Sequence, residues 1–214
     1  GKSTIINFIT GFYVADSGSV KVDGVDMSDI DLKSYRKNIA VVPQNSILFS
    51  GTIRDNITYG SPNISEKQLE KVIELSCLRE VIDGLPDGLN TMIGERGAKL
   101  SGGQCQRVSI ARALIRDPRI IIFDEACNGL DIFAKRDLYQ IIEKLAEDNK
   151  SIFFVTHNTD EILPMFNKAL LIKEGKVHSK GDLKEVIQQD NLQDFYGSEV
   201  DVFERNDRFF IFAK

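Results

Sequence analysis

The sequence predicts an α/β fold, a doubly wound and mostly parallel sheet flanked by helices. Three observations predict it. Three short apolar runs, residues 39–42, 120–123 and 152–155, read as buried strands of a parallel sheet. Helical patterns separate them, as the crossover connections of parallel strands require. Each run also ends in polar residues: Pro43-Gln44, Asp124-Glu125 and Thr156-His157. In open sheets of this kind, ligands gather outside the carboxyl ends of the strands.

The first element is a helix. Gly1-Lys2-Ser3-Thr4 followed by apolar IINFIT reads as the tail of a phosphate-binding loop, G-x-x-x-x-G-K-[ST], with its helix attached. The chemistry needs backbone N–H groups at a helix N-terminus, a Lys as a movable charge and a hydroxyl for Mg2+. Four residues alone carry little specificity, so the assignment rests on the residues downstream. The alternating run SVKVDG, between Ser17-Gly18 and Asp23-Gly24, predicts a strand and turn. Residues 31–37 predict a short helix. The strand at 39–42 stops at Pro43, which cannot continue a ladder. Gln44 lies just past it, at the ligand edge, although a lone Gln there is ordinarily a solvated amide.

Residues 47–60, ILFSGTIRDNITYG, show no clean period. Ser65 with Gln68 three residues on is a capping-box pattern, and Leu69, Val72, Ile73, Leu78, Val81 and Ile82 predict one apolar helix face after it. Leu100-Ser101-Gly102-Gly103-Gln104 opens a further helix that stops at Asp117-Pro118. The strand at 120–123 follows and delivers Asp124 and Glu125. After Asp131 an amphipathic helix presents Phe133, Leu138, Ile141, Ile142 and Leu145. The strand at 152–155 leads to His157. Residues 169–172 form a fourth strand, turned at 173–176. Leu183, Val186 and Ile187 mark a short helix, and VDVFE and RFFIF around Arg205-Asn206-Asp207 predict a hairpin.

Composition sets limits. The 214 residues are 42% hydrophobic and 28% charged, ordinary for a globular chain that buries a sizeable core. A net charge of −5 gives no electrostatic footprint for nucleic acid. No apolar run reaches the roughly 18–20 residues of a membrane span, and the first residues lack the pattern of a secretory signal. Cys77, Cys105 and Cys127 have no C-x-x-C spacing, so zinc is not expected and free thiols in a reducing compartment are. Cys105 at a helix start admits a reactive-thiol reading, but a free Cys usually behaves as a small hydrophobe.

Taken together, residues 1–181 resemble the ATP-binding domain of ABC (ATP-binding cassette) ATPases. The matching motifs are GKST, Pro43-Gln44, LSGGQ at 100–104, IIIFDE at 120–125, Asp131 and His157. An LSGGQ helix followed about fifteen residues later by an apolar strand ending in Asp-Glu is highly specific for the family. The resemblance implies a P-loop NTPase fold with a mostly parallel core sheet. It also implies a helical lobe over about 46–116 carrying LSGGQ, and residues 182–214 form a C-terminal helix and β-hairpin extension. It implies ATP and Mg2+ as ligands. Gly1, Lys2, Ser3 and Thr4 would bind phosphate, and Ser3, Gln44 and Asp124 would hold Mg2+ directly or through water. Glu125 would polarise the attacking water, with His157 at the γ-phosphate. Ser101, Gly102, Gly103 and Gln104 would bind the ATP of a second ATPase domain in a head-to-tail dimer, and Asp131 would communicate across that interface.

The resemblance further implies a transmembrane partner domain and a place at the cytoplasmic face of a membrane. Residues 47–60, the GERG loop at 94–97 and Ala126 look like exporters. Asn128-Gly129-Leu130-Asp131 and the tail from Gly181 look more like importers or stand-alone ATPases. A soluble ABC ATPase acting on nucleic acid or ribosomes is the alternative reading, and the acidic balance and the exporter-like segment disfavour it. The family's phosphate loop begins before Gly1, so this chain alone is expected to bind ATP weakly.

Overall fold

The computed structural model describes residues 1–214, the side chain of Arg96 excepted. In chain order the elements are α1 (Lys2–Ile9), β1 (Lys21–Val22), β2 (Val25–Asp26), α2 (Leu32–Lys37), β3 (Ile39–Val42), α3 (Ile53–Ile57), α4 (Glu66–Leu75), α5 (Arg79–Asp83) and α6 (Gly102–Leu114). They continue with β4 (Ile120–Asp124), α7 (Ile132–Glu147), β5 (Ser151–Val155), β6 (Lys168–Lys173), β7 (Lys176–Asp182), α8 (Leu183–Val186), α9 (Gln189–Tyr196), β8 (Val200–Arg205) and β9 (Arg208–Ala213). The chain divides into two compact units, Lys21–Val155 and Gly1–Val20 with Thr156–Lys214.

The Lys21–Val155 unit is built on the parallel sheet β3-β4-β5, in register Val42↔Phe123↔Phe154. Ile121, Ile122 and Phe123 of the central strand are fully buried. The outer strands are less covered than their apolar runs predict. Val41 and Phe153 flank Ile122 on one face, and they are 36% and 45% exposed. Periodicity identifies an apolar run but does not tell a central strand from an outer one.

Helix α6 packs against α3, α4 and β3. The segment that showed no period contains α3, started by a capping box in which Thr52 Oγ1 accepts from Asp55 N–H and Asp55 accepts from Thr52 N–H. The capping box expected at Ser65 and Gln68 is present. The single apolar face expected beyond it is split between two helices. Helix α4 ends at Leu75, Cys77 takes a positive φ of 52°, and α5 restarts at Arg79. Leu69, Val72, Ile73, Leu78 and Ile82 are nevertheless buried. Helix α7 buries Leu138, Ile141, Ile142 and Leu145 but leaves Phe133 64% exposed, with the Arg136 guanidinium 5.7 Å from the centre of its ring.

Arg107 on α6 ties three segments together. It pairs with Asp137 of α7 at 2.7 Å, both side chains under 20% exposed, and donates to the Cys77 carbonyl at 3.1 Å. Removing it leaves a mostly buried carboxylate and a carbonyl without this donor. Arg107→Ala is expected to lower stability by about 2 kcal/mol, measured as a lower urea midpoint at unchanged slope.

In the other unit, Gly1 caps α1, and the Thr10 hydroxyl donates to the Ile6 carbonyl at its far end. Strands β6 and β7 form one antiparallel hairpin and β8 and β9 another. The second turns on Asn206 and Asp207, both with positive φ (53° and 57°), the backbone that a two-residue type I′ turn requires. The predicted hairpin is therefore present. Helix α9, which the sequence reading did not include, precedes it and ends at Gly197 in the left-handed region. Leu183, Val186, Ile187, Leu192, Val200 and Phe209 share one core, joined by Ile162 and Phe166.

Candidate functional site

Strand β4 carries the candidate carboxylates out of the core. Asp124 ends the strand, paired with Val155 of β5, and is half-buried. Gln44 lies two residues beyond β3, the neighbouring strand, and is exposed. The parallel register thus brings Gln44, Asp124 and Glu125 to the same end of the sheet.

Glu125 takes a φ of 50°, an unfavourable backbone for a residue with a side chain. Its surroundings hold it there. Its N–H donates to the Val155 carbonyl at 2.9 Å, and its carbonyl accepts from Asn128 N–H at 3.1 Å. Asn128 Nδ2 also donates to Glu125 Oε2 at 2.8 Å. Gln106 on α6, 5% exposed, donates through Nε2 to the carbonyl of Ala126. Ala126 and Cys127 are themselves buried. The carboxylate is therefore aimed by a strand on one side and a helix on the other.

The Ser-Gly-Gly start of α6 forms a capping box. Ser101 Oγ accepts from Gln104 N–H at 3.3 Å, and Gln104 Oε1 accepts from Ser101 N–H at 2.9 Å. A Cβ on Gly102 would meet nothing within 4 Å, whereas one on Gly103 would come within 3.0 Å of Ala134 Cβ. Gly103 thus admits α7 against α6, and Gly102 stays open. Asp131 caps α7, accepting from Phe133 N–H at 2.9 Å and Ala134 N–H at 2.8 Å. Two helix N-termini therefore lie side by side, with Ser101, Gly102, Asp131, Ile132 and Phe133 exposed around them. Such N-termini favour negative charge.

Gly1, Lys2, Ser3, Thr4 and His157 belong to the other unit. Lys2, Ser3 and Thr4 form the first turn of α1, with Ser3 and Thr4 exposed. His157 is exposed in a loop whose neighbours Thr156 and Asn158 hydrogen-bond to Glu161. Gln106 and Glu161 were not singled out in the sequence, and Asn128 was noted only within the 128–131 motif, not as a partner of Glu125. Asn128 three residues after Glu125 is a local signal; Gln106 and Glu161 become visible only as buried polar groups.

Burial pushes the Cys105 thiol pKa up, and its nearest polar contacts are the carbonyls of Gly97 at 3.6 Å and Leu100 at 3.9 Å. That is the small-hydrophobe behaviour, not an activated thiolate. Among the described residues no three His, Cys, Asp or Glu side chains converge as a metal cage. Gln44 and Asp124, at the same end of the sheet, are hard oxygen donors of the kind that suit Mg2+, which keeps waters and is held largely through substrate phosphates.

A second surface surrounds Asn56, 1% exposed on α3. Its side chain accepts from Phe49 N–H at 2.9 Å and donates to the carbonyls of Phe49 and Thr52 at 2.9 and 3.0 Å. Arg112 donates to the carbonyls of Asn56 and Ile47, both at 2.9 Å, and stands 5.0 Å from the centre of the Phe49 ring. Phe49 stacks on Tyr59 at 4.4 Å, and Ile47, Phe49 and Tyr59 are 64%, 44% and 58% exposed. A rigid frame thus presents an apolar surface.

The ABC transporter family model matches residues 1–128. The ATP-dependent lipid A-core flippase of Vibrio vulnificus is 42% identical over 191 residues, which is 89% of this chain and 32% of the flippase. The heterocyst differentiation ATP-binding protein HepA of Nostoc is 37% identical over 189 residues, 88% of this chain and 31% of HepA. A solved bacterial Atm1-family ABC exporter with ATP bound superposes with a TM-score of 0.82 at 32% identity, over 92% of this chain and 34% of the exporter. The chain therefore spans about a third of the length of these relatives. With its parallel sheet ending in Asp124-Glu125 and its LSGGQ helix start, the chain belongs to the ABC transporter family, as an ATP-binding domain.

Proposed function

We propose that this domain hydrolyses ATP to drive an exporter-type transporter, working as one half of a head-to-tail pair of ATP-binding domains. The observation that carries the reading is Glu125, held at the carboxyl end of β4 by Asn128 and by the Val155 carbonyl. A fixed carboxylate next to the nucleotide orients a water and accepts its proton as attack on the γ-phosphate begins. Lys2 holds the β- and γ-phosphates, and His157 contacts the γ-phosphate and steadies the same water. Ser3, Gln44 and Asp124 would hold Mg2+ directly or through water, and the ion would supply charge neutralisation for the phosphates. Gly1 and Thr4 complete the start of α1 around the phosphates.

Ser101, Gly102 and Gly103 serve the ATP held by the partner domain. The open face of Gly102 and the paired helix N-termini support this role. Ile132 and Phe133, exposed beside Asp131, supply apolar contact across the same interface. The exposed surface of Ile47, Phe49 and Tyr59 would meet a membrane domain, and the domain would then work at the cytoplasmic face of the membrane. Among the described residues no helix is long and apolar enough to cross a membrane.

The test uses the whole protein reconstituted in vesicles. Hydrolysis is expected to require Mg2+ and to vanish with excess chelator. The double change Phe49→Ala and Tyr59→Ala is expected to leave hydrolysis within about threefold while transport falls at least tenfold, since truncating central aromatic anchors costs an interface most. Absence of ATP hydrolysis by the wild-type protein would overturn the enzymatic reading. Unimpaired transport in the double variant would overturn the docking reading alone.

A further inference from the structure

The turn that follows β5 contains a carboxylate that the motif pattern does not use. Glu161 is 1% exposed. Burying a carboxylate is costly unless hydrogen-bond donors compensate. Here Thr156 donates its hydroxyl to Glu161 Oε2, and Asn158 Nδ2 donates to Oε1 at 2.9 Å. Asn158 N–H donates to Thr156 Oγ1 at 2.9 Å, and Glu161 N–H donates back to the Asn158 carbonyl at 3.3 Å. The residues on both sides of His157 are thus fastened to one buried acid and to each other.

The turn that carries this acid rests on the C-terminal hairpin. Strand β9 packs against the single helical turn Thr159–Glu161, and Phe209 of β9 is buried in the same core as Ile162. A buried acid hydrogen-bonded to both flanks of a loop restricts that loop.

We propose that Glu161 is the positioning residue for His157, setting the direction of the imidazole through Thr156 and Asn158, with β9 as its support. The inference rests on the reading of His157 as the residue that contacts the γ-phosphate. Glu161 itself touches no substrate. It acts by restricting the loop before nucleotide arrives, the preorganisation that makes a distant side chain matter to a rate.

The chain has two histidines, which makes a direct test possible. His178 lies in the same unit, 3.5 Å from Asp194 and edge-on to Phe195, and serves as an internal control. The 214-residue chain labelled at histidine is compared with Glu161→Ala, Glu161→Gln and Thr156→Val by NMR of the imidazole rings. The expected result is displacement or broadening of the His157 ring signals, with His178 at its wild-type position. Gln keeps one acceptor oxygen and is expected to give the smaller displacement. Thr156→Val keeps the side-chain volume and supplies the test if the Ala variant does not fold. In the whole protein Glu161→Ala is expected to lower kcat about tenfold with KM for ATP within about twofold.

Unchanged His157 signals, or equal displacement of His157 and His178, would overturn the proposal. Displaced His157 signals together with wild-type hydrolysis in His157→Ala would uphold the positioning role and overturn the catalytic reading of His157 instead.

Discussion

Replacing Glu125 by Gln is expected to lower kcat for ATP hydrolysis by about a thousandfold, the scale on which loss of a positioned general base is felt. The change keeps the side-chain length and an acceptor oxygen for Asn128 Nδ2, which lies 2.8 Å from the carboxylate. The strained backbone at residue 125 is held by main-chain bonds to Val155 and Asn128, which the substitution does not touch. Folding, ATP affinity and closure of the two domains on ATP are therefore expected to survive. Only proton acceptance is lost. Single-turnover hydrolysis and equilibrium ATP binding, measured on the same preparation, separate these effects. Hydrolysis within about tenfold of wild type would remove Glu125 from the role of base. The milder change Asn128→Ala removes the guide but not the base, and it is expected to lower kcat about tenfold at unchanged ATP affinity.

The second large effect is on the strand that carries the acids. Phe123 is fully buried at the centre of the sheet, between Val42 and Phe154 in register and 6.3 Å from the Phe154 ring. Phe123→Ala removes a ring from a site walled by three strands, which cannot collapse to fill the space. The expected cost is about 4 kcal/mol, a large part of the stability of a typical domain. Calorimetry or urea unfolding reads it directly. A loss below about 1 kcal/mol would mean that β4 is not the packed centre of this unit.

How much of this was legible in the sequence depended on the range of the interactions involved. Strands β3, β4 and β5 were legible because each is an unbroken apolar run, and the β8–β9 hairpin because its turn residues tolerate positive φ. Helix α3 was not. Its five residues are too few to show a period, and its signal is the Thr52-Asp55 capping box alone. The break at Cys77 was hidden because the apolar spacing continues across it while the backbone reverses. Phe133 fits the apolar stripe of α7, yet it lies in the first turn, beside Asp131, where the helix faces outward.

The candidate site divides in the same way. Its motif residues were legible because phosphate chemistry needs particular residue types at fixed spacing. The residues that aim them were less so. Gln106 reaches Ala126 across twenty positions, and a Gln on a helix carries no mark of its partner. Glu161 looks like one acid among several in a polar turn until its burial is known. Ser101 and Gln104 are an instructive middle case. Their S-x-x-Q spacing is an ordinary capping box, so the same residues that mark the family also start the helix.

The central claim is that Glu125 and Ser101 of one chain serve different ATP molecules. It is tested most directly by mixing two inactive variants of the whole protein, Glu125→Gln and Ser101→Arg, as subunits that exchange freely. In a head-to-tail pair of identical chains, each mixed dimer keeps one site with an intact base and an intact helix start. Random pairing then restores about a quarter of the wild-type hydrolysis, since half the dimers are mixed and each has one of two sites. If mixing restores nothing while the chains demonstrably exchange, both residues act on the same ATP and the account is contradicted.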